Sequence, residues 1–140
     1  VSLADGSFGR AVLALDFGLL ESASGVVRCL EEAERGRSQP ELGGLLHEAI
    51  EGFASSWVDR HAGASKEAAN RLGLGLMAGL IGGHARRRLA SGAAAGGELS
   101  GALGVIEAVG RWESLVGSNV NLSLACDHLA SGVERSYAGV

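Results

Sequence analysis

The chain has 140 residues, of which 46% are hydrophobic, and its formal net charge is −4. This length fits one domain, or one domain with a short piece of another. The acidic balance gives no electrostatic case for nucleic acid as the main partner.

The opening stretch, from Leu3 to Asp16, joins a polar turn to an apolar segment. Within the turn, Gly6 tolerates positive φ, and Ser7 can accept a hydrogen bond from a free N–H group of a first helical turn. We therefore expect a short capped helix to begin at Phe8.

Two amphipathic helices are predicted next, from Leu19 to about Arg35 and from Pro40 to about His61. In both segments apolar residues recur at spacings of three and four. Gly36 and the residues that follow it break the pattern, and Pro40 suits the first turn of the second of these helices.

A longer helix is predicted from Lys66 to about Ala90, with Ser65 as its N-terminal cap. It contains the most apolar run of the chain, from Leu72 to Gly83, which is shorter than the roughly 18 to 20 residues needed to cross a bilayer. We expect a buried helix and no membrane partner. Close packing against neighbouring helices is the expected reason for its glycines Gly73, Gly75 and Gly79.

Glycine accounts for 23 of the 140 residues, about twice its usual frequency near 7%. Each glycine inside a helix costs about 1 kcal/mol relative to alanine, so these helices need tertiary or quaternary packing to stay formed. The stretch Ser91 to Gly97 is predicted to be a linker.

The last two predicted helices run from Glu98 to Val116 and from Leu122 to Ser136, and Asn119 or Asn121 caps the second. The first has a heptad-like apolar seam formed by Leu99, Ala102, Ile106, Val109 and Val116, and Trp112 is expected beside that seam. The fold class that follows is an all-α bundle of about five helices, preceded by the short opening helix.

The sequence lacks the common motifs of nucleotide-binding and catalytic sites. There is no phosphate-binding G-x-x-x-x-G-K-[ST] loop and no G-x-S-x-G elbow. None of the four histidines has a His, Cys or carboxylate partner in the repeated i, i+3 or i+4 form of an HExxH or di-iron Glu-x-x-His site, so we expect them to be surface or half-buried residues. Cys29 and Cys126 each lie in an apolar helical pattern and are expected to be reduced core residues. We therefore predict no catalytic residue, no metal and no cofactor, and expect Arg86 to Arg88 to complement a helix dipole.

Two segments resemble a known family. The run Leu-Ala-Asp-Gly-Ser-x-Gly-Arg-Ala near the N-terminus is similar to the last lid helix of the AAA+ subunits of bacterial DNA polymerase III clamp loaders, delta-prime subunits in particular. In the ATP-hydrolysing subunits of that family, a nucleotide-sensing arginine sits two positions after the serine that corresponds to Ser7. Here that position is Gly9, and Arg10 follows it, which resembles the degenerate delta-prime pattern. Near the C-terminus, Asn-x-Asn-Leu and Leu-Ala-x-x-x-Leu resemble the final helices of the family's collar domain.

The resemblance implies a division of the chain into the end of an AAA+ lid, residues 1–18, and a helical collar domain, residues 19–140. It implies a cytoplasmic C-terminal fragment that is not itself an enzyme, from a parent protein that belongs to DNA polymerase III. The collar would bind other clamp-loader subunits, delta and gamma or tau, and would reach the sliding clamp and DNA only through the whole assembly. The candidate subunit interface consists of Ile106, Val109, Trp112, Val116, Leu122 and Leu129.

Two alternatives remain. The first is the collar of the ATPase subunit, gamma or tau, which Gly9 disfavours. The second is a helical-bundle enzyme or small-molecule sensor, which would require convergent polar groups in an apolar cavity between helices.

Overall fold

The computed structural model describes residues 19–91, 97–116 and 121–138. The predicted opening helix, with Ser7, Gly9 and Arg10, lies outside these residues. The described residues form five α-helices and no strand: α1 (Leu19–Glu34), α2 (Leu42–Arg60), α3 (Lys66–Ala90), α4 (Gly97–Val116) and α5 (Leu122–Ala138). The predicted all-α bundle of about five helices is therefore confirmed.

Two predicted helix caps are present. The Ser65 hydroxyl accepts a hydrogen bond from the Ala68 N–H at 3.0 Å, and the Asn121 side-chain oxygen accepts one from the Leu124 N–H at 3.2 Å. Pro40 was expected in the first turn of its helix, but α2 begins two residues later, at Leu42, and Pro40 lies in the turn before it.

Helix α3 occupies the centre of the bundle. Its residues are buried without interruption from Leu76 to Ala85, and it packs against α1, α2 and α4. A helix that is buried on every side is apolar all round, which explains the long apolar run in this part of the sequence. Among the described residues, no helix is long and apolar enough to span a membrane.

Glycines allow two helix pairs, α2 with α3 and α4 with α5, to approach closely. A Cβ atom on Gly73 would lie 3.1 Å from a Phe53 ring carbon and 3.2 Å from an Ile50 side-chain carbon, so these side chains of α2 would have to shift by a few tenths of an ångström to admit a larger residue. Gly101 and Gly104 have the same role between α4 and α5. The packing explanation holds for Gly73 but not for Gly75, which has nothing within 4 Å of its Cβ position.

Two glycines of α4 should therefore respond oppositely to alanine. A Cβ on Gly101 would lie 2.8 Å from the Tyr137 ring, so Gly101→Ala should destabilise the fold by about 1–3 kcal/mol through overpacking. Gly110 is exposed with open space around it, so Gly110→Ala should stabilise the fold by about 0.5–1 kcal/mol through helix propensity. Urea unfolding of both variants measures the difference, and equal effects would contradict the close approach of α4 and α5.

Candidate functional site

Helices α4 and α5 form an antiparallel hairpin whose register three contacts define. Gly101 lies against Tyr137, Ala108 lies against Gly132, and the Trp112 indole N–H donates a hydrogen bond to the Ala125 carbonyl oxygen at 2.7 Å. The buried indole N–H thus has its required acceptor, and its hydrogen bond joins the C-terminal part of α4 to the N-terminal part of α5.

The residues predicted to form a subunit interface divide into three groups. Val109, Trp112 and Leu129 are core residues, and Trp112 and Leu129 are only 2% and 1% exposed. Ile106 and Leu122 are half-buried against the core. The side chain of Val116 is outside the described part of the structure. The interface itself stays a prediction, but the three core residues can affect it only by holding α4 and α5 in place.

The core also corrects the expected position of Trp112. This side chain was expected beside the apolar seam of α4, yet it lies within the buried face together with Val105 and Val109. The buried face of α4 is displaced from the predicted seam because α4 packs against both α3 and α5.

Two large apolar side chains of the hairpin are exposed instead. Leu103 on α4 is 51% exposed and Leu124 on α5 is 66% exposed. The sequence analysis did not select either residue for the interface. A signal was present for Leu103, because it falls outside the seam to which Ala102, Ile106 and Val109 were assigned.

A second candidate is a cluster of charged side chains where the ends of α1, α3 and α5 meet. The Glu34 carboxylate lies 2.6 Å from His84 Nε2 through one oxygen and 3.0 Å from Arg88 Nε through the other. The side chains of Glu34 and His84 are each 11% exposed. The Glu34 carboxylate is therefore largely removed from water, and it interacts instead with two side chains that lie four residues apart on one face of α3.

This cluster corrects two expectations. His84 is buried rather than surface or half-buried, and Arg88 pairs with Glu34 instead of only complementing a helix dipole. The last turn of α1 has no basic residue, so the negative end of its dipole disfavours Glu34 there. The two α3 side chains compensate for that cost. Sequence reasoning could not find this site, because Glu34 and His84 are fifty residues apart.

Tyr137 of α5 completes the cluster. Burial raises the pKa of its phenol above the ordinary value of 10.0, and the negative charge of Glu34 adds to the effect. The hydroxyl is buried, and among the residues that the structure describes no group lies at hydrogen-bond geometry to it. The phenol is thus held neutral beside a carboxylate that already has two other partners.

The cleft beside this cluster has a volume of about 320 Å³ and is lined by Glu31, Glu34, Arg35, His84 and Arg88. Its lining is mostly charged, and several of these groups already pair with protein partners. The small-molecule alternative required an apolar cavity with convergent polar groups, and this cleft does not match that description. Within the described part of the chain, no group of three or more His, Cys, Asp or Glu side chains could hold a metal ion.

Both cysteines are free and buried, as predicted. Burial raises the pKa of the Cys126 thiol to about 12, and the neighbouring charge of Asp127 contributes. Burial also raises the pKa of Cys29, with a further contribution from Glu41. Because the thiolate is the reactive form, both side chains are poor nucleophiles in the folded chain.

Comparisons with protein-family models, with curated proteins and with solved structures give no match for this chain.

Tyr137 is the chain's only tyrosine, which makes the cluster measurable by alkaline titration. Because its pKa is raised, the neutral phenol contributes stability that is complete below the unfolded value and is lost as the pH rises through the folded value. We expect the ultraviolet absorbance of the phenolate to appear well above the ordinary pKa in the folded chain. Glu34→Gln should lower the midpoint, because it removes a negative charge beside the phenol. The chain unfolded in guanidinium is the reference, and an equal midpoint in the folded chain would contradict the buried position of Tyr137.

Proposed function

We propose that this chain is a non-catalytic assembly module of the clamp-loader collar type, which holds one subunit in the ring that loads the sliding clamp during DNA replication. The observation that carries the proposal is the exposure of Leu103 and Leu124 on α4 and α5. These are the two helices for which the sequence predicted contact with sibling subunits. An exposed leucine gains about 1.5–3 kcal/mol when a partner covers it completely.

Three described residues of the C-terminal motif that resembles the family have a structural role. Asn121 of Asn-x-Asn-Leu caps α5. In Leu-Ala-x-x-x-Leu, the Ala125 carbonyl oxygen accepts the Trp112 N–H, and Leu129 lies in the core. The first leucine of this motif, Leu124, is the exposed one. The motif thus contributes to the packing of α4 against α5 and presents one apolar side chain, Leu124, near the start of α5.

The delta-prime assignment within this proposal depends on Gly9, the position at which the ATPase subunits carry arginine. The collar of a gamma or tau subunit is the alternative. In either case the partners would be the other clamp-loader subunits, and the sliding clamp and DNA would be reached through the whole assembly. The parent protein would be a cytoplasmic component of DNA polymerase III.

The proposal predicts that the purified chain neither binds nor hydrolyses ATP. The reason is that the sequence contains no phosphate-binding loop and has glycine at the position of the nucleotide-sensing arginine. Equilibrium titration with labelled ATP is the measurement. Saturable binding at micromolar concentration would contradict a non-catalytic role for this chain.

The proposal also predicts co-elution of the chain with the helical C-terminal domains of clamp-loader subunits from the same organism. Removal of α4 and α5 is not a suitable test, because these helices supply Trp112, Leu129 and much of the core. The double variant Leu103→Glu, Leu124→Glu is suitable, because both side chains are exposed.

Leu103 and Leu124 are 51% and 66% exposed, so together they offer a partner about the surface of one fully exposed leucine. Burial of that surface is worth about 1.5–3 kcal/mol, which exceeds the 1.4 kcal/mol that corresponds to tenfold in affinity, so we expect this variant to bind at least about tenfold more weakly. Ser55→Glu on the exposed side of α2 is the control and should co-elute normally. Normal co-elution of the double variant would place the interface elsewhere, and no co-elution of the unaltered chain would contradict the proposed function.

A further inference from the structure

The first turn of α2 has no cap of its own. Glu41, which precedes the helix, makes no side-chain hydrogen bond to it, and the first turn contains no acidic residue. The first N–H groups of a helix have no acceptor within the helix and form the positive end of its dipole. Among the described residues, the N–H groups of Gly43 and Gly44 find no backbone acceptor. Because Gly43 is buried, a partner for this turn is expected from another part of the fold.

A carboxylate of α5 lies against this turn. The Oδ1 atom of Asp127 occupies the space that a Cβ atom on Gly43 would need, and the Asp127 Cα atom lies 3.4 Å from that Cβ position. In an α-helix the Cα–Cβ bonds tilt toward the N-terminus, so this space is on the N-terminal side of Gly43. The negative charge of α5 is thus placed beside the first N–H groups of α2.

Two other carboxylates near the start of α2 already have partners. Glu41 accepts a weak hydrogen bond from the Cys29 thiol at 3.8 Å, and Glu134 accepts one from the Gln39 N–H. Asp127, in contrast, forms no ion pair with any residue that the structure describes. The positive end of α2 is therefore the group with which its charge can interact.

We propose that Asp127 is a tertiary cap of α2: its charge stabilises the first turn of a helix that lacks a local cap, so the order of this turn depends on the packing of α5. A negative charge near a helix N-terminus is stabilising because it interacts with the positive end of the dipole. The missing side chain at Gly43 is what admits the carboxylate, so the two residues act as a pair. This inference does not depend on the proposed function.

The test is amide hydrogen exchange of the full chain, measured by NMR at two matched positions. The Leu45 N–H donates to the Glu41 carbonyl oxygen in the first turn of α2, and the Ala125 N–H donates to the Asn121 carbonyl oxygen in the first turn of α5, both at 2.9 Å. Such amides exchange when their turn opens locally, so each reports on the stability of its own turn.

Asp127→Asn keeps the size of the side chain and removes its charge. We expect the Leu45 amide to exchange about two- to fivefold faster in this variant, the usual effect of a charge at a helix end, and the difference to shrink at high salt. The Ala125 amide should keep its rate. An unchanged Leu45 rate would overturn the proposal. An equal acceleration at Ala125 would overturn it as well, because the charge would then act on α5 itself.

Two further variants separate the tertiary cap from other carboxylates. Asp59→Asn is the matched control, because Asp59 is exposed near the other end of α2, and it should leave the Leu45 rate unchanged. An acceleration there equal to that of Asp127→Asn would contradict a specific role for Asp127. Glu41→Gln tests the local carboxylate. A larger acceleration at Leu45 in Glu41→Gln than in Asp127→Asn would assign the cap to Glu41 and overturn the proposal.

Discussion

The complete burial of the middle of α3 is the constraint on which the other helices depend. From Leu76 to Ala85 this helix has no solvent-facing side, so the neighbouring helices must surround it. His84 is the one polar side chain in that stretch of sequence, and a buried polar group must find a partner. Glu34 of α1 provides that partner, and Arg88 balances the carboxylate. The position of the end of α1 thus follows from the need to satisfy a histidine within an otherwise apolar helix.

The high glycine content has two structural consequences. At Gly73, Gly101 and Gly104 the absence of a side chain lets helices approach closely, so tertiary packing offsets the cost of glycine in a helix. Gly52, Gly75 and Gly110 have nothing within 4 Å of their Cβ positions, and no contact within the described chain offsets their cost. The helices that contain these three glycines are therefore less stable than the packing of the fold would permit.

Two parts of the bundle are held in place in different ways. The hairpin of α4 and α5 is held by Trp112 and by close packing at glycines, which gives the exposed leucines a rigid support. The connection between α1 and α2, residues 35–41, has no comparable apolar support: Arg35, Gly36 and Arg37 donate main-chain hydrogen bonds to carbonyl oxygens of α1, and the Gln39 N–H donates one to the Glu134 carboxylate. The two parts of the fold are thus held by different kinds of contact.

Local sequence was sufficient for the elements of this fold. Apolar spacing predicted all five described helices to within a few residues, and the caps at Ser65 and Asn121 followed from side-chain chemistry within one turn of the helix. These features depend on residues three or four positions apart, which is the range over which periodicity and capping act. The buried character of Cys29 and Cys126 was predicted in the same way.

The composition of the candidate sites could be seen only in the tertiary structure. The pairing of Glu34 with His84 joins residues fifty positions apart, and no local pattern indicates it. The exposure of Leu103 and the burial of Trp112 depend on the rotation of α4, which is set by its simultaneous contact with α3 and α5. A single helical seam describes contact with one neighbour. When a helix packs against two, the direction of its buried face depends on where both neighbours lie, and that information is in the packed bundle alone.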